Sequence, residues 1–239
     1  YTFGSGNDKF TTAADGFATT DKFAVAAGEG TDTLVVAAKA DLDTAAEAAR
    51  YTGFETLNVS ASQDASLVAG ITSVNQAAST SAVLSGVSAS LAENITVTGD
   101  QGSAYTVTLS NATGSSDVVS LDLKSGTSTT NVDVAGLSVI GVETLNVVGS
   151  TGTAGDDSDI DIASSGADKL TAVNLSGTAD MTFSGENTAK KITLTSTSTG
   201  AITATGDFIK GSTITTGAGK DAVTTSTNNG STYNTGAGD

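Results

Sequence analysis

Short apolar-polar-apolar triplets run along most of the chain, with Thr, Asn or Asp in the middle and Gly, Ser or Thr at the flanks. They include Leu57-Asn58-Val59, Ile95-Thr96-Val97, Val107-Thr108-Leu109, Leu121-Asp122-Leu123, Val132-Asp133-Val134, Leu145-Asn146-Val147, Ile160-Asp161-Ile162, Val173-Asn174-Leu175, Met181-Thr182-Phe183, Ile192-Thr193-Leu194 and Ile202-Thr203-Ala204. A period of two puts the apolar pair on one face of an extended strand and the polar residue on the other. The last four triplets start at 173, 181, 192 and 202. That rhythm is shared by sandwiches, barrels and solenoids. A triplet is too short to hold an isolated hairpin, whereas stacked coils line many triplets into ladders over one core. The chain is therefore predicted to be all-β, a parallel β-solenoid or β-roll of stacked short strands. Small Ala, Ser, Thr and Gly side chains suit its narrow interior and tight corners. A β-sandwich is the alternative, because Asn229-Gly230 and other Gly-rich turns also make hairpins.

One long repeat stands out: Gly53-Phe54-Glu55-Thr56-Leu57-Asn58-Val59 returns as Gly141-Val142-Glu143-Thr144-Leu145-Asn146-Val147, 143 − 55 = 88 residues later. Each copy begins a strand, and its Glu either faces solvent or serves calcium or a hydrogen bond between coils. One stretch reads as helical, Ala40 to Arg50, Ala-rich with acids early and a base at its end, the order that suits a helix dipole. The chain thus divides into residues 1–52, with Gly-rich turns and the short helix, a first β-repeat unit over 53–140, and a second over 141–239.

Charge narrows the partners. With 10 Lys and Arg against 26 Asp and Glu the net charge is −16, so nucleic-acid phosphates and anionic membranes are poor partners and divalent cations good ones. There is no Cys and no His, which leaves oxygen ligands for any metal and excludes thiol nucleophiles and a Ser-His-Asp triad. No apolar run of about 18 residues is present, and no membrane insertion is expected. The start at Tyr1 and the stop at Asp239, within a recurring motif, read as an interior piece of a longer protein.

That motif is Gly-x-Gly-x-Asp followed two residues later by a large apolar side chain. It occurs as Gly4-Ser5-Gly6-Asn7-Asp8-Lys9-Phe10, Gly28-Glu29-Gly30-Thr31-Asp32-Thr33-Leu34 and Gly217-Ala218-Gly219-Lys220-Asp221-Ala222-Val223, and a fourth copy begins at Gly236-Ala237-Gly238-Asp239. The glycines let the backbone turn tightly with carbonyls inward, the Asp brings a carboxylate, and the apolar residue anchors the next strand. An ordinary Gly-rich turn is the plainer reading. Gly155-Asp156-Asp157-Ser158-Asp159 is a second acidic cluster, read as a solvated loop or a further calcium ligand set.

The motif resembles the calcium-binding nonapeptide of RTX proteins, Gly-Gly-x-Gly-x-Asp-x-U-x with U large and apolar. It departs from it consistently, with Phe3, Ala27 and Thr216 in place of the first Gly. The resemblance implies that Asp8, Asp32 and Asp221 ligate Ca²⁺, together with backbone carbonyls of Gly4, Gly6, Asn7, Gly28, Gly30, Thr31, Gly217, Gly219, Lys220, Gly236 and Gly238. The stretches Tyr105–Val118, Gly141–Val147 and Leu170–Gly177 are similar to the lattice-forming part of RTX-type surface-layer proteins such as that of Caulobacter, over roughly residues 53–239. This implies type I secretion, calcium-dependent folding outside the cell, and assembly of copies into a two-dimensional sheet at the cell surface. Cell-surface polysaccharide would be met through a part not in this chain. An RTX adhesin, or the non-catalytic RTX portion of a secreted hydrolase, is the alternative; no catalytic residue is expected here. Sequons stand at Asn58, Asn94, Asn111 and Asn174, three of them in or beside a triplet, where the strand itself is a sufficient explanation.

Overall fold

A computed structural model describes residues 1–12, 23–124, 131–150, 158–162, 166–185, 191–206, 208, 211–225 and 230–238. Asp156, Asp157, Asn229 and Asp239 of the sequence reading lie outside the described residues.

In chain order the strands are β1 (Lys9–Thr11), β2 (Val25–Ala26), β3 (Thr33–Val36), β4 (Tyr51–Thr52), β5 (Thr56–Val59), β6 (Gln63–Asp64), β7 (Ser73–Gln76), β8 (Ser79–Val87), β9 (Ile95–Val97), β10 (Gln101–Leu109) and β11 (Val118–Leu123), continuing with β12 (Val134–Ser138), β13 (Thr144–Gly149), β14 (Ser158–Ile162), β15 (Ala172–Gly177), β16 (Met181–Gly185), β17 (Thr193–Ser196), β18 (Ile202–Gly206), β19 (Thr213–Thr216), β20 (Ala222–Thr225) and β21 (Thr232–Thr235). The odd-numbered strands from β1 to β21 stack in sequence as one 11-stranded sheet, and the even-numbered strands from β6 to β20 stack as a second, 8-stranded sheet. β2 and β4 pair separately. Every described pairing between strands is parallel. From Ile95 onward successive triplets therefore fall on alternate sheets, and the chain winds as a solenoid rather than a sandwich of hairpins. Coil length varies, from 17 residues between Thr56 and Ser73 to 33 between Gln101 and Val134, and falls to 19 between Thr203 and Ala222. The first sheet runs on past positions 52 and 140, and the second, which begins at Gln63, runs on past 140.

The apolar members of the triplets point inward and line up in register. Leu34, Leu57, Val74, Ile95, Leu121, Val147 and Leu175 form one such column in the first sheet, and all are buried. Val134, Ile160, Phe183 and Ala204 form the matching column in the second. Burial of each Val, Leu, Ile or Phe side chain contributes about 1.5–3 kcal/mol. The stack is thus one continuous core.

Helical structure is brief. A 3₁₀ turn covers Lys39–Asp41, and the helix expected over 40–50 contracts to α1 (Ala45–Ala48). Thr44 is extended, with φ −126°, and caps α1 by accepting from the Glu47 amide, while Glu47 accepts in return from the Thr44 amide. A capping box here fixes the helix start at Ala45, five residues after the Ala40 that opens the Ala-rich run. A further single turn, α2 (Ala89–Ala92), is capped by Ser88, whose Oγ accepts from the Leu91 amide.

Candidate metal-binding corners and the carboxylates before the strands

The three complete Gly-x-Gly-x-Asp copies and the fourth begun at Gly236 do not converge on one site. They form two stacks at opposite ends of the solenoid, one feeding the first sheet and the other the second. At the first, Gly28 and Gly30 sit directly on the Gly4 and Gly6 carbonyls of the preceding coil, so closely that a Cβ on either would overlap them. The Gly6 amide donates to the Glu29 carbonyl and the Thr31 amide to Asn7 Oδ1, at 2.8 and 2.9 Å. At the second, Gly217 and Gly219 lie on Ser198 and Gly200, and Gly236 and Gly238 lie on Gly217 and Gly219 in turn. Glycine is required at Gly28, Gly30, Gly217, Gly219, Gly236 and Gly238 because the neighbouring coil's backbone occupies the place of a side chain.

The aspartates at these corners turn into the stack. Asp32 is fully buried: its Oδ1 accepts from the Asp8 amide at 2.7 Å, and its Oδ2 is buried with no partner. Asp221 repeats the arrangement, Oδ1 accepting from the Ile202 amide at 2.8 Å and Oδ2 buried and unpartnered. Asp8 is half-buried, and Lys220 is exposed. Among the described residues no group of three or more acidic side chains lies close enough to hold a metal ion. Any cation at these corners would depend on one or two carboxylates and on carbonyls of the Gly-rich turn. The orphaned Oδ2 atoms fit a hard cation, because a buried carboxylate oxygen without a donor is costly.

The same arrangement extends well beyond the glycine motif. An acid stands immediately before β1, β3, β5, β11 and β13 in the first sheet, as Asp8, Asp32, Glu55, Asp117 and Glu143, and before β10, β12, β16 and β20 in the second, as Asp100, Asp133, Asp180 and Asp221. Most of these carboxylates bind an amide of an adjoining coil. Glu55 Oε2 accepts from the Asp32 amide and Glu143 Oε2 from the Asp117 amide, both at 2.8 Å. Asp100 accepts from the Asp133 amide at 3.1 Å, Asp133 from that of Asp159 at 3.2 Å, and Asp180 from that of Ala201 at 2.6 Å. The two copies of the long repeat thus share one function, a hydrogen bond between coils. Glu143 also lies 3.7 Å from Lys169 Nζ. The signal is present in the sequence as an acid directly preceding an apolar-polar alternation, and of the three readings of Glu55 and Glu143 the structure shows the hydrogen bond between coils.

On the outer face of the second sheet Asp100, Asp133 and Asp159 fall in register on three successive coils. With Asp161, Gly102, Ala135, Thr182 and Ser184 they line a shallow groove of about 490 Å³. Partial burial raises the Asp133 pKa, and the Asp159 and Asp100 carboxylates push it further in the same direction, against the lowering effect of the Asp159 amide. No protein-family profile, curated protein or solved structure matches the chain.

Proposed function

We propose that the chain is a structural, non-catalytic segment of a secreted bacterial surface-layer protein, a calcium-stiffened parallel solenoid that assembles with copies of itself into a two-dimensional sheet. The observation that carries this reading is the pair of buried, unpartnered oxygens, Asp32 Oδ2 and Asp221 Oδ2, each at a glycine corner where coil backbones meet. Asp8 and Asp32, with carbonyls of Gly4, Gly6, Asn7, Gly28, Gly30 and Thr31, would hold calcium at one end. Asp221, with carbonyls of Gly217, Gly219, Lys220, Gly236 and Gly238, would hold it at the other. When bound, the ion supplies positive charge between coils of a chain whose net charge is −16. It stabilises only the folded stack, by roughly 2.7 kcal/mol per site at a hundredfold excess over the dissociation constant. Cell-surface polysaccharide would be engaged through another part of the parent protein.

The decisive measurement is calcium titration by calorimetry on the wild type and on the triple variant Asp8→Ala, Asp32→Ala, Asp221→Ala. Lower stoichiometry in the variant supports the sites, and an unchanged one removes them. Electron microscopy with calcium tests assembly: ordered sheets support the lattice, while isolated rods move the reading to an adhesin. Chelation is expected to lower the melting temperature and to abolish sheets before or together with β-structure.

A further inference from the structure

The described sequons are not equivalent in the structure. Asn58 lies within β5, hydrogen-bonded between β3 and β7. Asn174 lies within β15, and its Nδ2 donates to Asn146 Oδ1 at 2.8 Å. Asn94 directly precedes β9, and its Nδ2 donates to the Ser90 carbonyl at 2.9 Å. In all three the middle residue, Val59, Leu175 or Ile95, belongs to the buried core. Presenting any of these tripeptides to an enzyme means pulling a core side chain and a ladder strand out of the stack.

Asn111-Ala112-Thr113 is placed otherwise, on the corner between β10 and β11, where Asn111 and Thr113 are exposed. Ala112 is held from behind by Lys169, whose Nζ donates to its carbonyl at 2.9 Å. Asn111 Oδ1 accepts from the Thr113 amide at 3.2 Å and from the Thr113 hydroxyl at 2.7 Å. Asn111 Nδ2 has no hydrogen-bond partner among the described residues. A hydroxyl donated to Oδ1 polarises the carboxamide and makes its N–H more acidic, the direction needed if the nitrogen is to lose a proton as it attacks an electrophile.

We propose that Asn111 is an N-glycosylation acceptor, its donor a sugar joined through the anomeric carbon to a pyrophosphate. Nδ2 attacks the anomeric carbon and the N–C bond forms. The C–O bond to pyrophosphate breaks with its electron pair leaving on oxygen, and the displaced Nδ2 proton passes to a base of the glycosyltransferase. Neither oxidant nor reductant is involved. The donor's pyrophosphate is carried on a nucleotide or on a lipid, and the two are separated by experiment.

A fifth sequon, Asn229-Gly230-Ser231, begins outside the described residues, so the test is run on the full chain carrying Asn229→Gln. The protein, shown folded by circular dichroism, is incubated with a soluble Asn glycosyltransferase and a nucleotide-linked sugar, and separately with a membrane oligosaccharyltransferase and a lipid-linked oligosaccharide. Intact mass and glycopeptide sequencing read the product. The expected result is one glycan per chain, on Asn111, in at least one arm. It disappears in Asn111→Gln and in Thr113→Ala and persists in Thr113→Ser, while heat-unfolded chain also accepts at Asn58, Asn94 and Asn174. No transfer to the folded chain in either arm, or transfer to those three sites as fast as to Asn111, overturns the proposal.

Discussion

An acid directly before a strand does more joining than its exposed chemistry suggests, because a carboxylate there has an amide of the neighbouring coil within reach. Glu143 is the clearest case. Replacing it with Ala leaves the part-buried Asp117 amide without an acceptor, and we expect a loss of about 1–3 kcal/mol in urea unfolding. Glu143→Gln retains an amide oxygen and is expected to cost less; equal losses for the two variants would assign the effect to packing instead. Asp133 has the opposite sign. Its pKa is raised in the fold, chiefly by burial, so the folded chain binds that proton more tightly than the unfolded chain. The charged Asp133 therefore destabilises in full above its folded pKa, and stability returns as pH falls through that value toward the ordinary 3.8. Like charges directly opposite each other across a ladder are destabilising. Asp133→Asn keeps an Oδ1 to accept from the Asp159 amide and is expected to melt higher than wild type at pH 7, the difference closing in acid. A gap that persists unchanged down to pH 4 would place its cause outside this carboxylate.

At the level of the turn and the strand, glycines of the same motif experience different surroundings. A Cβ on Gly28 or Gly219 would overlap backbone of the preceding coil, whereas nothing lies within 4 Å of one on Gly4. We expect Gly28→Ala and Gly219→Ala each to lower the melting temperature measurably, and Gly4→Ala to stay within about 0.5 kcal/mol of wild type. Similar melting temperatures for all three would show that the corners relax freely. The motif itself was legible in sequence, but the asymmetry was not, since it depends on which coil lies behind each turn. Strands were legible where apolar and polar residues alternate cleanly, as in Leu145-Asn146-Val147 within β13 and Met181-Thr182-Phe183 within β16. Val132-Asp133-Val134 alternates equally well, yet β12 begins only at Val134, because the Val132 amide is drawn to Ser158 Oγ. The nine-residue β8 carries no such signal: Ala82, Val83 and Leu84 are all apolar, so the sequence shows no alternation although Ala82 and Leu84 are buried and Val83 between them is 41% exposed. The helix expected at 40–50 is shorter in the structure because Thr44 and Glu47 form a capping box that starts it at Ala45, inside the Ala-rich run. Carboxylate partners were invisible for a related reason, as Asp32 meets Asp8 across 24 residues and Glu143 meets Asp117 across 26.

Over the whole molecule, each coil touches mainly the coils before and after it, and a stack of this kind behaves as a chain of nearest-neighbour interfaces rather than as one globular core. Adjacent strands are about 4.8 Å apart, so a change in one coil is felt chiefly at its two flanks. Leu121 and Ile214 make the comparison, since both are fully buried in the first sheet, one near the middle and one near the C-terminal end. Leu121 packs in register between Ile95 and Val147, and truncation to Ala is expected to cost about 2–5 kcal/mol. Because coils remain on both sides, the damage should divide the stack. In native-state hydrogen exchange Leu121→Ala should lose protection over β9, β11 and β13 while β15, β17 and β19 retain most of theirs, and denaturant unfolding should broaden or split. Ile214→Ala, between Leu194 and Tyr233, should fray β19 and β21 and leave the central strands as they were. Uniform loss of protection along the chain in either variant would show that the solenoid unfolds as a single cooperative unit, and that its coils are coupled more tightly than nearest-neighbour contact allows.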